Sequence, residues 1–172
     1  MPAFTIRDER TGDAAAIRAV TLDAFRDMPY SQQTEAAIVD ALRAAGALTV
    51  SLVAVEGEDI VGHVAFSPVT IGGVAAPGWY GVGPLSVRPD RQRRGAGTAL
   101  MKEGIAGVRR PGARGCVLAG DPAYYARFGF GGSGGLSYPG LPPTHFRVLR
   151  FGPEEDPAGI VAFHPAFAAR YD

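Results

Sequence analysis

The chain holds a single cysteine, Cys116, among its 172 residues, so no disulfide closes within it and a reducing compartment is expected. Its three histidines, His63, His145 and His164, have no partners at metal-ligand spacing, and no metal site is expected. Lysine is nearly absent too, Lys102 being the only one. Lys plus Arg equals Asp plus Glu at 17 each, a formal net charge of zero. That balance removes the electrostatic argument for a dedicated nucleic-acid binder or a binder of anionic membranes. No apolar run approaches a membrane span, and MPAFTIRDER is charged where a signal peptide needs its apolar stretch. A cytoplasmic protein without a membrane partner is the expectation. What is present suits a packed core: 47% hydrophobic and 20% charged residues, at the length of one domain spanning 1–172.

Hydrophobic period then divides the chain. Residues 3–7 alternate as a short strand does. Thr11-Gly12-Asp13 offers caps before AAAIRAVTLDAF, a helix with Ala16, Ile17, Val20 and Phe25 on one face. A second helix starts near Ser31 or Thr34, buries Ile38, Val39, Leu42 and Ala45, and stops at Gly46. LTVSLVAVE and DIVGHVAFSPVTI read as two strands joined by a tight turn at Glu56–Asp59. Trp79–Val87 is a third, broken by Gly81, Gly83 and Pro84, the mark of a bulge or an edge. A helix over 95–108 carries Gly97, Gly104 and Gly107, each costing about 1 kcal/mol against Ala, so close packing must compensate. Cys116–Ala119 suits a buried strand and Asp121-Pro122 opens another helix ending at Gly129. A glycine- and proline-rich loop over 131–143 precedes two last strands within about 145–165. The fold class is therefore mixed α/β.

The chemistry concentrates in Arg88-Pro-Asp-Arg-Gln-Arg-Arg-Gly-Ala-Gly-Thr98, between a strand and a helix, with four arginines in seven residues. The free N–H groups of a first helical turn and the positive end of its dipole attract an anion, and glycines let the ligand approach the backbone. Arg93 and Arg94 can add charge-assisted bonds to phosphate. A solvated basic turn explains the same composition equally well. GxxxxGK[ST] is absent, and Gly95-Ala96-Gly97 lacks the third glycine of a dinucleotide fingerprint.

Gln92-Arg93-Arg94-Gly95-Ala96-Gly97 resembles the Q/R-x-x-G-x-G/A motif of the GNAT superfamily of N-acetyltransferases. PLSVRPDRQRRGAGTALM resembles that family's fourth strand, loop and third helix, and DPAYYARFGF its FYxxLGF-like segment on the helix after the fifth strand. GPLSVRPD with GDPAYYARFGF also resembles one bacterial subgroup of small predicted acetyltransferases. The resemblance runs from the first strand to about Phe130. It implies a central, mostly antiparallel, twisted sheet of about seven strands, splayed between the fourth and fifth. It implies acetyl-CoA as co-substrate, no metal, and direct transfer to a primary amine of a small molecule or peptide. A CoA-binding module without transfer activity is the second reading, and a homodimer through the C-terminal strands is common in such relatives.

By resemblance, backbone groups of Leu85, Ser86 and Val87 pair with the pantetheine, and an N–H near Val87 polarises the thioester. The loop Gln92, Arg93, Arg94, Gly95, Ala96, Gly97 and Thr98 holds the pyrophosphate. Tyr125 gives a proton to the departing thiolate, a role open to a phenol of pKa near 10, while Tyr124 belongs to the core. Phe128 packs either on the cofactor or in the core. Trp79 and Tyr80 either wall an acceptor pocket or lie at an exposed interface or in the core. Glu35, Glu56, Glu103 and His63 are the titratable candidates for a base, and none is singled out. Cys116 reads as a buried hydrophobe. Glu154-Glu155-Asp156 is the one acidic cluster.

Overall fold

The computed structural model describes residues 4–153 and 157–171, so Ala3 of the first expected strand and the Glu154–Asp156 cluster lie outside the described residues. The elements are β1 Thr5–Asp8, α1 Ala14–Phe25, α2 Glu35–Ala44, β2 Val50–Glu56, β3 Asp59–Ile71 and β4 Val74–Val87. They continue as α3 Ala96–Arg109, β5 Gly115–Ala119, α4 Pro122–Tyr125, β6 Leu136–Ser137, β7 Phe146–Arg150 and β8 Gly159–Ala162. The sheet order is β1-β2-β3-β4-β5-β7, with β8 pairing both β3 and β6. Among the described residues only β4–β5 and β6–β8 are parallel. Among the described residues eight strands stand where about seven were expected, and the added one is β6, inside the segment expected to be loop throughout.

The β3–β4 hairpin shows why β4 begins five residues before Trp79. Gly72 and Gly73 both have positive φ, +62° and +80°, and close a two-residue turn with Ile71 opposite Val74. The strand pattern resumes at once, although Ala75, Ala76 and Pro77 hide it.

The two faces of the sheet are covered differently. On one, Leu52, Val64 and Phe66 pack with Leu100 and Met101 of α3. Gly104 makes this approach feasible, because a Cβ there would lie 2.3 Å from the Phe66 ring. The cost of glycine in a helix is thus met by packing. On the other face, Val53 packs with Ile17 of α1 and Val39 of α2. α1 buries Ile17, Val20, Thr21 and Ala24 and leaves Ala16 exposed, a stripe shifted from the one expected. Asp13 does not cap it: its carboxylate accepts from the Arg7 guanidinium at 2.7 Å and from the Arg10 amide at 2.7 Å. α2 starts without a side-chain cap from Thr34, and the Glu35 carboxylate binds the Ser31 hydroxyl and the Thr34 amide instead. Gly46, at φ +66°, ends α2 as expected, with Ala45 exposed.

Candidate functional site

β4 and β5 pair over three positions only, Trp79–Gly81 against Gly115–Val117. β4 then continues to Val87 alongside β3, and the side that would face β5 carries no strand among the described residues. The divergence follows from a bulge. Val64 pairs with Leu85 and Phe66 with Val82, so Gly83 and Pro84 together oppose Ala65. Gly83 takes φ +127°, open only to glycine at low cost, and the Gly83–Pro84 bond is cis.

Antiparallel pairing fixes which backbone groups enter the gap. The Arg88 amide donates to the Val61 carbonyl at 2.8 Å. Alternation then turns Ser86 toward β3 and turns the amides and carbonyls of Leu85 and Val87 into the gap. The Gln92 side chain donates to the Val87 carbonyl at 3.1 Å.

At the mouth of the gap the arginines divide into two pairs. Arg88 is bound to Asp90 and Arg91 to both Asp90 and Glu56. Arg93 and Arg94 are exposed and form no ion pair among the described residues. Arg93 at φ +63° and Gly95 at φ +91° bend the chain so that α3 starts at Ala96 with its first amides unpaired. Nothing lies within 4 Å of where a Gly95 Cβ would stand, and a Gly97 Cβ would come 3.0 Å from the Tyr124 hydroxyl.

α4 forms the other wall. The Asp121 carboxylate caps it by accepting from the Ala123 amide at 3.0 Å, and Gly129 at φ +95° closes the following turn. Tyr124, expected in the core, is only half-buried. Its phenol reaches the first turn of α3 beside Thr98, and the Arg127 guanidinium sits 4.4 Å above its ring. Tyr125 packs edge-on to Tyr124 at 4.9 Å and to Phe130 at 6.0 Å, close over Gly120. Burial, then the nearby phenols of Tyr124 and Tyr30 and the Asp121 carboxylate, hold the Tyr125 phenol above the ordinary tyrosine range. It therefore stays protonated at neutral pH and keeps its O–H available to donate. Phe128 is partly buried against the core that includes Leu118 and Phe130, 5.7 Å from Tyr124.

The base candidates separate. Glu35 is held in the turn before α2, Glu56 by Arg91, and Glu103 is exposed on α3. His63 is fully buried on β3, where its Nε2 lies 2.8 Å from the Ser51 hydroxyl. That hydroxyl donates to Glu9 at 2.8 Å, and Arg43 grips the same carboxylate at 2.8 and 2.9 Å. Arg43, helped by Ser51, holds Glu9 below the ordinary carboxylate range, while burial lowers the His63 imidazole to about 4. Neither Glu9, Ser51 nor Arg43 stood out in the sequence, since their contacts join residues 34 and 42 positions apart. Cys116 is buried and its thiol is pushed up to about 12, which leaves it inert. Trp79 is core, packed with Val117 and Phe146. Among the described residues no group of three His, Cys, Asp or Glu side chains could hold a metal, and no helix is long and apolar enough to cross a membrane.

Comparison with known proteins places these features. The model of the acetyltransferase (GNAT) family matches residues 15–130. The chain is 41% identical over 117 residues to the Escherichia coli K12 uncharacterized N-acetyltransferase YhbS, covering 66% of this chain and 68% of that one. A GNAT family acetyltransferase from Brucella melitensis, solved with acetyl-CoA, superposes with a TM-score of 0.85 at 53% identity, covering 97% of this chain and 99% of the other. The YhbS structure from Escherichia coli, solved with CoA, gives a TM-score of 0.85 at 34% identity, covering 95% and 91%.

Proposed function

The chain belongs to the GNAT acetyltransferase family, and from that membership we propose that it moves an acetyl group from acetyl-CoA directly to a primary amine of a small molecule or peptide. One observation carries the reading: the gap beside the bulged β4 opens onto the unpaired first turn of α3. The residues there fit the co-substrate. The amides from Arg93 to Thr98, Gly95, Ala96 and Gly97 included, hold the pyrophosphate, and the exposed Arg93 and Arg94 guanidinium groups add charge. Leu85 and Val87 offer the extended pantetheine a strand edge, and Ser86 between them keeps its backbone on β3. Gln92 orients the Val87 carbonyl, and Phe128 packs at the α4 wall.

Acetyl-CoA supplies a thioester, and a gap-facing amide donates to its carbonyl oxygen as negative charge develops there. The amine attacks in a ternary complex, so no enzyme nucleophile is required and the inert Cys116 is no obstacle. Tyr125 gives its proton to the departing sulfur. The same reading takes 1–172 as one domain in the cytoplasm, with neither nucleic acid nor membrane as partner. β8, whose Ile160 is 56% exposed, is the surface for pairing with a second copy.

Calorimetric titration with acetyl-CoA, beside desulfo-CoA and ATP, tests the cofactor, and thiol release with a panel of amines tests transfer. Micromolar binding corresponds to about −8 kcal/mol. Tyr125→Phe is expected to lower kcat about 100-fold with acetyl-CoA affinity unchanged, and wild-type turnover in that variant would remove Tyr125 from the chemistry.

A further inference from the structure

The arginines at the mouth of the gap are not confined to the loop before α3. Arg127 stands on the other wall, three residues after Tyr124, where it is exposed and forms no ion pair among the described residues. Its position is nonetheless fixed. Three-residue spacing across α4 and the turn that continues it sets Arg127 over Tyr124. The Arg127 Nε–H donates to the Tyr124 carbonyl at 2.9 Å, and the guanidinium lies 4.4 Å from the centre of the Tyr124 ring. That ring is braced in turn by Tyr125 and Phe128, both edge-on, at 4.9 and 5.7 Å. An arginine on a surface ordinarily keeps its rotamer freedom; this one has given it up before any ligand arrives.

With Nε engaged, the two terminal nitrogens of Arg127 remain, the edge that takes a carboxylate or a phosphate in paired bonds. Tyr124 decides where that edge stands, since its phenol oxygen is 3.0 Å from where a Cβ on Gly97 would lie, in the first turn of α3. The guanidinium is thus within about 10 Å of the turn that takes the pyrophosphate, one Debye length at 0.1 M salt. The pyrophosphate has its own partners in the amides of that turn and in Arg93 and Arg94. Acetyl-CoA carries a third phosphate, on the 3′ oxygen of its adenosine ribose, one sugar away from the pyrophosphate. It is a monoester, close to doubly charged at neutral pH, and its three terminal oxygens match a guanidinium fork.

Resting on the acetyl-CoA reading above, we propose that Arg127, held over the Tyr124 ring, binds the 3′-phosphate of acetyl-CoA and makes the site select CoA thioesters over their 3′-dephospho analogues. The turn before α3 takes what any nucleoside diphosphate offers, whereas Arg127 takes the group that sets CoA apart from ADP. Tyr124 is a positioning residue here. Its ring holds the guanidinium, and its hydroxyl is not needed for that.

Calorimetric titration of the intact protein with acetyl-CoA and with acetyl-3′-dephospho-CoA tests the assignment. The wild type is expected to bind acetyl-CoA about 20-fold more tightly, and Arg127→Gln to bring the two ligands within about twofold by weakening acetyl-CoA alone. Tyr124→Phe keeps the ring and is expected to keep the preference, while Tyr124→Leu is expected to lower it about threefold. Phosphorus-31 NMR of the complex gives a second readout. The bound 3′-phosphate is expected to take up its proton about one pH unit below its ordinary value near 6, and Arg127→Gln to return it toward 6. Equal affinities for the two ligands in the wild type would overturn the inference. So would an Arg127→Gln variant that weakens both ligands alike or neither, or a Tyr124→Leu variant with its preference intact. A wild type that binds neither ligand would instead overturn the acetyl-CoA reading itself.

Discussion

The two faces of the sheet pose opposite problems. The α3 face is dry: Phe66, Leu100 and Met101 interlock, and Gly104 gives up its side chain so that helix and sheet can close. The α1–α2 face carries Thr21, His63, Ser67 and Ser86, the only buried polar side chains among the described residues. The difference teaches a division of labour. The dry face packs α3 against the sheet, while the polar face ties α2 to β2 and β3 through the chain Arg43, Glu9, Ser51 and His63. Dispersion packing is unforgiving of shape, and hydrogen-bonded groups are unforgiving of lost partners.

That contrast can be broken at its strongest point first. Phe66→Ala is expected to cost about 4 kcal/mol in urea unfolding, since the ring is fully buried. In that background Gly104→Ala should lose most of its own penalty, and a double-mutant cycle that came out additive would deny the contact. On the polar face the effect depends on pH. His63 titrates near 4 folded, below its ordinary 6.5, so the unfolded chain takes up the proton first. Stability is therefore full above about pH 6.5 and declines by up to about 3 kcal/mol as pH falls toward 4, and His63→Leu should flatten that slope.

Smaller effects sharpen the same contrast. Glu9 is depressed by Arg43, so its contribution is present above about pH 4.3 and lost as pH falls through its folded value. Arg43→Met should cost about 1 kcal/mol at pH 7, allowing for water around the pair, and nothing in strong acid; a gap that widened in acid would refute the pairing. Arg93→Gly removes a side chain from a positive-φ position and should raise stability by about 0.5 kcal/mol while weakening acetyl-CoA binding, as thermal unfolding with and without acetyl-CoA would read.

Legibility followed the range of the interactions. AAAIRAVTLDAF and DIVGHVAFSPVTI are bounded by local turn residues, and α1 and β3 begin and end where those runs do. The bulge at Gly83-Pro84 was legible for the same reason. β6 was not, because two residues carry no period and their pairing comes from β8, more than twenty positions on. The roles of Tyr124 and Tyr125 could not be divided by periodicity, since α4 is a single turn of four residues. The split of the loop arginines was equally hidden, because Glu56 reaches Arg91 from 35 positions away. Packing across the sheet decides such cases, and a linear pattern does not contain it.

The short parallel pairing of β4 with β5 has a consequence for solvent exchange. Leu85 and Val87 lie in the middle of the sheet, yet their amides face a gap, while that of Ser86 is locked to β3. Deuterium should enter at every second residue of this stretch and be shut out when a ligand fills the groove. The protein thus carries a two-amide reporter of occupancy, set by the pleat of a strand and needing no label.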